Sequence, residues 1–205
     1  MNHYEELLDY RRHVSDLYRE VRQSSVDQIT CWQRFRVARE RLFETHPQSP
    51  LSREQQGRFA GLRYFPYDSA LRFLLTVDTE VEPETFNLEL QDDGLVRLRR
   101  FGRIDFTVEG QDVSLSLFWI LGYGGGVFLP FRDLTNSQET YGGGRYLLDT
   151  VKHADLGQAG SRLVIDFNYA YNPSCAYNPR WHCPLAPAEN WLPVAIRAGE
   201  QHYIG

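Results

Sequence analysis

The stretch Arg72-Phe73-Leu74-Leu75-Thr76-Val77-Asp78-Thr79-Glu80-Val81 decides the fold. Phe73, Leu75, Val77, Thr79 and Val81 fall on one face and mostly polar residues on the other, the period of a half-buried strand. The same period continues downstream. Ile104, Phe106 and Val108 are expected to pair with Leu117, Leu115 and Val113 across Gly110-Gln111. Asp92-Asp93-Gly94 marks another hairpin. A three-residue loop there, with Gly94 left-handed, sets Glu89 opposite Arg97 and Leu88 opposite Leu98, whereas a two-residue loop sets Glu89 against Leu98. Further strands are expected near 127–131, 145–151, 162–169 and 192–198. Strands without alternating helices exclude a doubly wound α/β fold. They predict a mainly β (α+β) protein, an antiparallel β-sandwich or barrel-like sheet.

Upstream the period lengthens. Leu7, Val14, Leu17, Tyr18 and Val21 recur at helical spacing, and Ser25 with Gln28 reads as a capping box. A second helix carries Ile29, Trp32, Phe35, Leu42 and Phe43 on one stripe and stops at His46-Pro47. The expected organisation is a single domain over 1–205, with an N-terminal helical hairpin at 1–46 and a β-rich core at 62–205. The apolar stripe needs a cover, either the sheet or a second copy of the chain in a homodimer. Residues 170–193 hold five prolines and many aromatics, a loop expected to fold over the sheet.

Composition removes several function classes. Among the 22 Lys and Arg residues only Lys152 is lysine, so a Schiff base has one candidate and a Walker loop none. Motifs of the Gly-x-Ser-x-Gly, His-Glu-x-x-His and strand-following Gly-x-Gly-x-x-Gly types are also missing. A net charge of −5 gives no reason to expect nucleic acid. Mean hydropathy of −0.47 and the lack of a long apolar run predict no membrane span. The first residues lack a secretion pattern, so a cytoplasmic location is expected. Asp78, Glu80, Glu82, Glu84, Glu89, Asp92 and Asp93 read as a solvated strand face answered by Arg97, Arg99 and Arg100.

The carboxyl-terminal half carries the unusual motifs. They include Pro130-Phe131-Arg132-Asp133, Thr140-Tyr141-Gly142-Gly143-Gly144-Arg145-Tyr146 and Asp166-Phe167-Asn168-Tyr169-Ala170-Tyr171-Asn172-Pro173. Cys175-Ala176-Tyr177, Cys183-Pro184-Leu185-Ala186-Pro187-Ala188-Glu189-Asn190 and Ala198-Gly199-Glu200 follow. This ordered set resembles a prokaryotic family catalogued as a domain of unknown function, number sixteen eighty-four. The likeness runs from about Ser49-Pro50-Leu51 to Glu200 and is densest over 130–200. It implies no reaction, cofactor or substrate. Where family members carry Pro-Leu-Pro-Pro-Pro-Glu-Asn, this chain keeps the Glu-Asn pair but replaces two prolines by Ala186 and Ala188.

Read as chemistry, Gly142 to Gly144 with Arg145 offers amides and a guanidinium to an anion, or else a turn beside a structural ion pair. Asp166 and Asn168 share a strand face, as a base with an oxyanion donor, or as an ion-paired Asp with a loop-capping Asn. A shared site is expected under the loop. Arg145, Asn168, Tyr141, Tyr171, Asn172 and Asn190 bind in it, and Asp166 and Glu189 act as acid–base groups. Arg145 beside Asp166 should lower the pKa of that carboxyl, leaving Glu189 the better acid–base group. Cys175, His182 and Cys183 are spaced poorly for zinc, so no metal site is assigned. The thiols fit a disulfide, a nucleophile with His182 as base, or simple packing.

Three functions fit these residues. One is an enzyme doing hydrolase- or lyase-like chemistry on a small anionic compound, with its cofactor unidentified. Another is a non-catalytic small-molecule binder lined by Tyr141, Tyr171, Tyr177 and Trp181. The last is a structural or assembly protein using the helical hairpin.

Overall fold

In a computed structural model, which describes residues 2–91 and 94–205, the chain is mainly β with helices at its start. Helices α1 (His3–Gln23) and α2 (Gln28–Thr45) form the hairpin, and the short α3 (Arg53–Gly57) follows. The strands are β1 (Arg72–Leu75), β2 (Thr85–Glu89), β3 (Leu95–Val108), β4 (Gln111–Leu121), β5 (Gly126–Phe131), β6 (Arg145–Asp149), β7 (Gln158–Ala159) and β8 (Arg162–Asp166). They form two antiparallel sheets, β1-β8-β7 and β2-β3-β4-β5-β6, arranged as an open, sandwich-like pair rather than a closed barrel. No helix among the described residues is long and apolar enough to cross a membrane.

Between the sheets, Ile104, Leu115, Leu117, Leu129, Phe131 and Phe167 are fully buried. A second cluster, Leu98, Phe118, Phe128 and Tyr146, lies on the other face of the large sheet. One strand serves both cores because β3 shifts register between Arg100 and Gly102. The extra residue of a bulge moves side chains to the opposite face, so Leu98 and Ile104 meet different clusters.

Both predicted hairpin registers are corrected, each by two residues. Ile104 faces Leu115 and Phe106 faces Val113, closed by a two-residue turn at Glu109 and Gly110, where φ is 50° and 81°. Glu89 faces Leu95, Leu88 faces Val96, and Arg97 sits across from Asn87. Gly94 is left-handed as expected, at φ 80°, while Asp92 and Asp93 of that turn lie outside the described residues. An even shift leaves every side chain on its face, so alternation alone does not detect it.

The hairpin stripe packs inward. Trp32 and Phe35 join Tyr18, Leu156 and Tyr169, with Val164 of β8 against them. The indole N–H of Trp32 donates to Asn168 O at 2.9 Å. Ile29, expected on the stripe, is 51% exposed. The cap of α2 is Asp27, whose carboxylate accepts from Thr30 N, rather than Ser25. Near the end, 192–198 is not a strand. Leu192, Val194, Ile196 and Ala198 are buried in extended chain, held by bonds such as Leu192 N to Arg132 O at 2.8 Å. Likewise β8 stops at Asp166 and gives way to a 3-10 turn at Phe167–Tyr169.

Gly144, at φ 90°, brings the chain against the Phe131 carbonyl oxygen, where a Cβ would collide. Its role is to let β6 begin. Gly144→Ala should therefore lower the urea midpoint, with a loss of stability of at least about 1–3 kcal/mol, the cost of a strained left-handed residue alone.

Candidate functional site

Arg145 is 0% exposed. Its guanidinium donates to Asp133 Oδ2 at 2.9 Å, Ile196 O at 2.8 Å, Glu200 O at 3.2 Å and the Ala198 carbonyl. This cation ties β6 to the extended carboxyl-terminal segment, so its terminal N–H groups are spent on protein acceptors, while Nε is buried without a partner. Arg145→Ala would strand Asp133 and should cost about 3–5 kcal/mol, appearing as loss of the cooperative melt.

Asp166 does not meet Arg145. It accepts from Asn168 N at 3.0 Å and Asn168 Nδ2 at 2.8 Å, takes Tyr67 Oη at 3.3 Å, and has Arg72 Nε at 3.7 Å. Burial raises its pKa against these contacts, the reverse of the expected lowering. It lines a cavity of about 360 Å³ beside Arg72 and Cys31. Asn168, fully buried, mimics a backbone unit: it accepts from Asp68 N at 2.8 Å and donates to Asp68 O at 2.7 Å. Asn190 does the same more pointedly. Continuing the β4–β5 register places Ser116 opposite Pro130. Proline has no N–H to offer. The Asn190 amide fills the gap, accepting from Ser116 N at 2.8 Å and donating to Ser116 O at 2.9 Å and Pro130 O at 2.8 Å. Glu189 pairs with Arg100 at 2.8 Å, on another part of the molecule. Tyr141 donates to Cys175 Sγ at 3.6 Å.

Tyr171 and Asn172 lie elsewhere, in a cavity of about 510 Å³ between the helical hairpin and the 171–183 segment. Leu7, Tyr10, Arg11, Val14 and Tyr18 face it because they recur at three- and four-residue steps along α1. Tyr146 and Asp149 of β6 face it from the other side, with Tyr177 and Trp181. One lining residue, Arg39, forms an ion pair behind the wall. Arg39 of α2, nearly buried, donates to Glu200 Oε1 at 2.7 Å, and Tyr64 Oη donates to the same oxygen at 2.9 Å. The other oxygen takes Asn172 N at 2.8 Å and the Tyr177 hydroxyl. Burial pushes the Tyr177 and Tyr64 phenols well up, with the nearby Glu200 charge adding to it.

Several cavity groups lack protein partners. Among the described residues, the hydroxyls of Tyr10, Tyr18 and Tyr171 make no hydrogen bond, and Asn172 Oδ1 is buried without a donor. Arg11 and Lys152 stand exposed at the rim without an ion pair there. Asp149, only 4% exposed, accepts from Lys152 N at 3.2 Å. Burial raises its pKa even though Lys152, Arg11 and His153 pull it down. Arg39, Asp149 and Glu200 escaped the sequence reading. The available signal was Arg39 within the Trp32–Phe43 stripe, since a buried cation requires an anion.

A cluster of Asp9, His13 and His46 brings three ligand-type atoms within 4.8 Å of one another. Gln48 N–H donates to His46 Nδ1 at 3.0 Å, so the proton of a neutral ring sits on Nε2, which faces Asp9 Oδ2 at 3.3 Å. That is a His–Asp hydrogen bond rather than an open nitrogen awaiting a cation.

The arrangement is that of an α+β sandwich in which a helical hairpin closes an aromatic cavity. The chain belongs to the family described as "Protein of unknown function (DUF1684)", whose model matches residues 57–201. That span holds one cavity wall, and the α1–α2 wall lies before it. An uncharacterised protein of Haloarcula marismortui, gene locus rrnAC0354, solved by solution NMR, is similar at 38% identity and a TM-score of 0.60. The match covers 84% of this chain and 92% of that one. No curated protein matches the chain.

Asp149 makes stability depend on pH. Its folded pKa lies above the ordinary carboxyl value, so the folded state keeps a proton that the unfolded chain releases. That contribution is complete below about pH 4 and is lost as pH rises through the folded pKa. Asp149→Asn keeps the oxygen facing Lys152 N and removes the titration. Thermal melts between acid and neutral pH should show the variant gaining on the wild type as pH rises.

Proposed function

We propose that the protein binds a small anionic, ring-containing molecule in the cavity between the helical hairpin and the 171–183 segment. The observation carrying this reading is the set of groups there without a hydrogen bond or close ion pair to protein: three phenols, the Asn172 carbonyl and the side chains of Arg11 and Lys152 at the rim. A volume of about 510 Å³ matches ordinary ligand sites. Aromatic walls favour a planar body, and Arg11 and Lys152 favour negative charge at the mouth. The binding groups are thus Tyr171 and Asn172 from the expected set, joined by Tyr10, Arg11, Tyr18 and Lys152.

A second reading, acid–base chemistry on the bound molecule, is favoured by the raised pKa of Asp149. Asp149 replaces Asp166 and Glu189 in that role, since the latter two face other groups.

Anilinonaphthalene sulfonate, an anionic aromatic fluorophore, tests the site directly. Its emission should rise and shift to the blue with the folded protein. Arg11→Ala with Lys152→Ala should weaken binding by about tenfold, equivalent to about 1.4 kcal/mol for the two charges. Val14→Trp, which plugs the cavity from α1, should abolish it while the protein still melts cooperatively. Fluorescence unchanged in a folded Val14→Trp protein would place the dye elsewhere and defeat the reading.

A further inference from the structure

We propose that Cys175 and Cys183, the latter on the cavity wall, are a reversible dithiol–disulfide pair, with Cys183 the attacking thiolate and a hydroperoxide the oxidant. The proposal goes beyond ligand binding and does not require the cavity to be filled.

Geometry sets the pair apart. Both thiols are free and half-buried, whereas Cys31 is buried in α2. A 3-10 turn at Ser174–Ala176 folds the chain back, and Cys175 N–H donates to Cys183 Sγ at 3.4 Å. That bond sets the two cysteines side by side. Cys183 lines the cavity, as does Lys152, so a small oxidant has a path to it. Tyr141 donates to the Cys175 sulfur from the far side.

The two sulfurs are therefore unequal. Hydrogen bonds from Cys175, with help from Lys152, draw the Cys183 thiol down against the effect of burial. Cys175, as donor to that sulfur and partly buried, is pushed up and keeps its proton. One ready thiolate beside one protonated thiol is the arrangement of an attacking and a resolving cysteine.

The chemistry balances. The Cys183 thiolate attacks the terminal oxygen of the hydroperoxide. An S–O bond forms, the O–O bond breaks, and the departing alkoxide takes a proton from solvent to become an alcohol. Cys175 then attacks the Cys183 sulfenic sulfur. The S–S bond forms, the S–O bond breaks, and hydroxide leaves with the Cys175 proton as water. Two electrons pass from the sulfurs to the peroxide oxygens, and a thiol reductant reverses the change by exchange. The disulfide closes 175–183, which carries Tyr177 and Trp181 of the cavity wall, into a covalent loop.

The test treats the reduced full-length protein with one equivalent of hydrogen peroxide, then alkylates it and maps the peptides. A Cys175–Cys183 disulfide reversible by dithiothreitol is expected, with Cys31 still alkylated. In Cys175→Ser, dimedone should trap a sulfenic acid at Cys183. In Cys183→Ser, Cys175 should stay unreacted. If either variant fails to fold, iodoacetamide labelling of the wild type decides. At about pH 6, Cys183 should label at least about tenfold faster than Cys175, because only a thiolate reacts. Equal labelling rates, dimedone on Cys175, or two free thiols after peroxide would each overturn the proposal.

Discussion

The Glu200 carboxylate is the interaction on which the rest of the structure leans. It is 1% exposed and accepts from four groups: Arg39 on α2, Tyr64 before β1, the backbone of Asn172 and the Tyr177 hydroxyl. A buried carboxylate is costly unless its lone pairs are met, and here four donors from three separate segments meet them. The helical hairpin is thereby fastened to the end of the chain across more than a hundred residues. Arg39, Asn172 and Tyr177 of this set also line the cavity, so the contacts that close the fold shape part of its wall.

Around this pin, side chains repeatedly stand in for backbone. Asn190 replaces the donor that Pro130 lacks, Asn168 pairs with both backbone groups of Asp68, and Arg145 collects three carbonyls. The carboxyl-terminal third has little regular ladder, and buried peptide groups without partners are expensive. Polar residues that look catalytic in a list are here the means by which irregular chain is buried at all. This accounts for the density of Asn, Asp and Arg in the motifs that mark the family.

The cavity follows a different logic. The phenols of Tyr10, Tyr18 and Tyr171, the Asn172 carbonyl and the rim cations are not consumed by the fold, whereas Tyr146 and Tyr177 on the same wall are bonded to Pro184 and Glu200. Groups without protein partners at a concave surface are available to something else, whereas Arg145 and Asn190, fully buried, are not. Asp149 belongs to both worlds: it caps the turn at Thr150–Lys152 and faces the cavity as a carboxyl made more basic by burial. Cys183, beside Cys175, lies on the same wall, where a diffusing molecule can reach it.

Much of the architecture was legible in the chain alone. Alternation assigns strands, although the one through Phe73 ends at Leu75 and not at Val81, the step from Leu7 to Val21 assigns a helix, and the ordered motifs over 130–200 assign the family. These signals are local, because each depends on which face a side chain occupies within one element. Register was not legible: Glu89 and Ile104 each sit two positions from where alternation allowed, since an even slip preserves every face. Nor was the division of labour among polar residues. Asp166 and Asn168 were visible as neighbours, but whether they face a ligand or Asp68 depends on a loop a hundred residues away. Arg39 likewise acquires its meaning from Glu200. The sequence by itself determined the elements and the family. Only tertiary structure decided which buried charges meet, because that depends on long-range closure, and closure alone separates groups spent on the fold from groups left for a ligand.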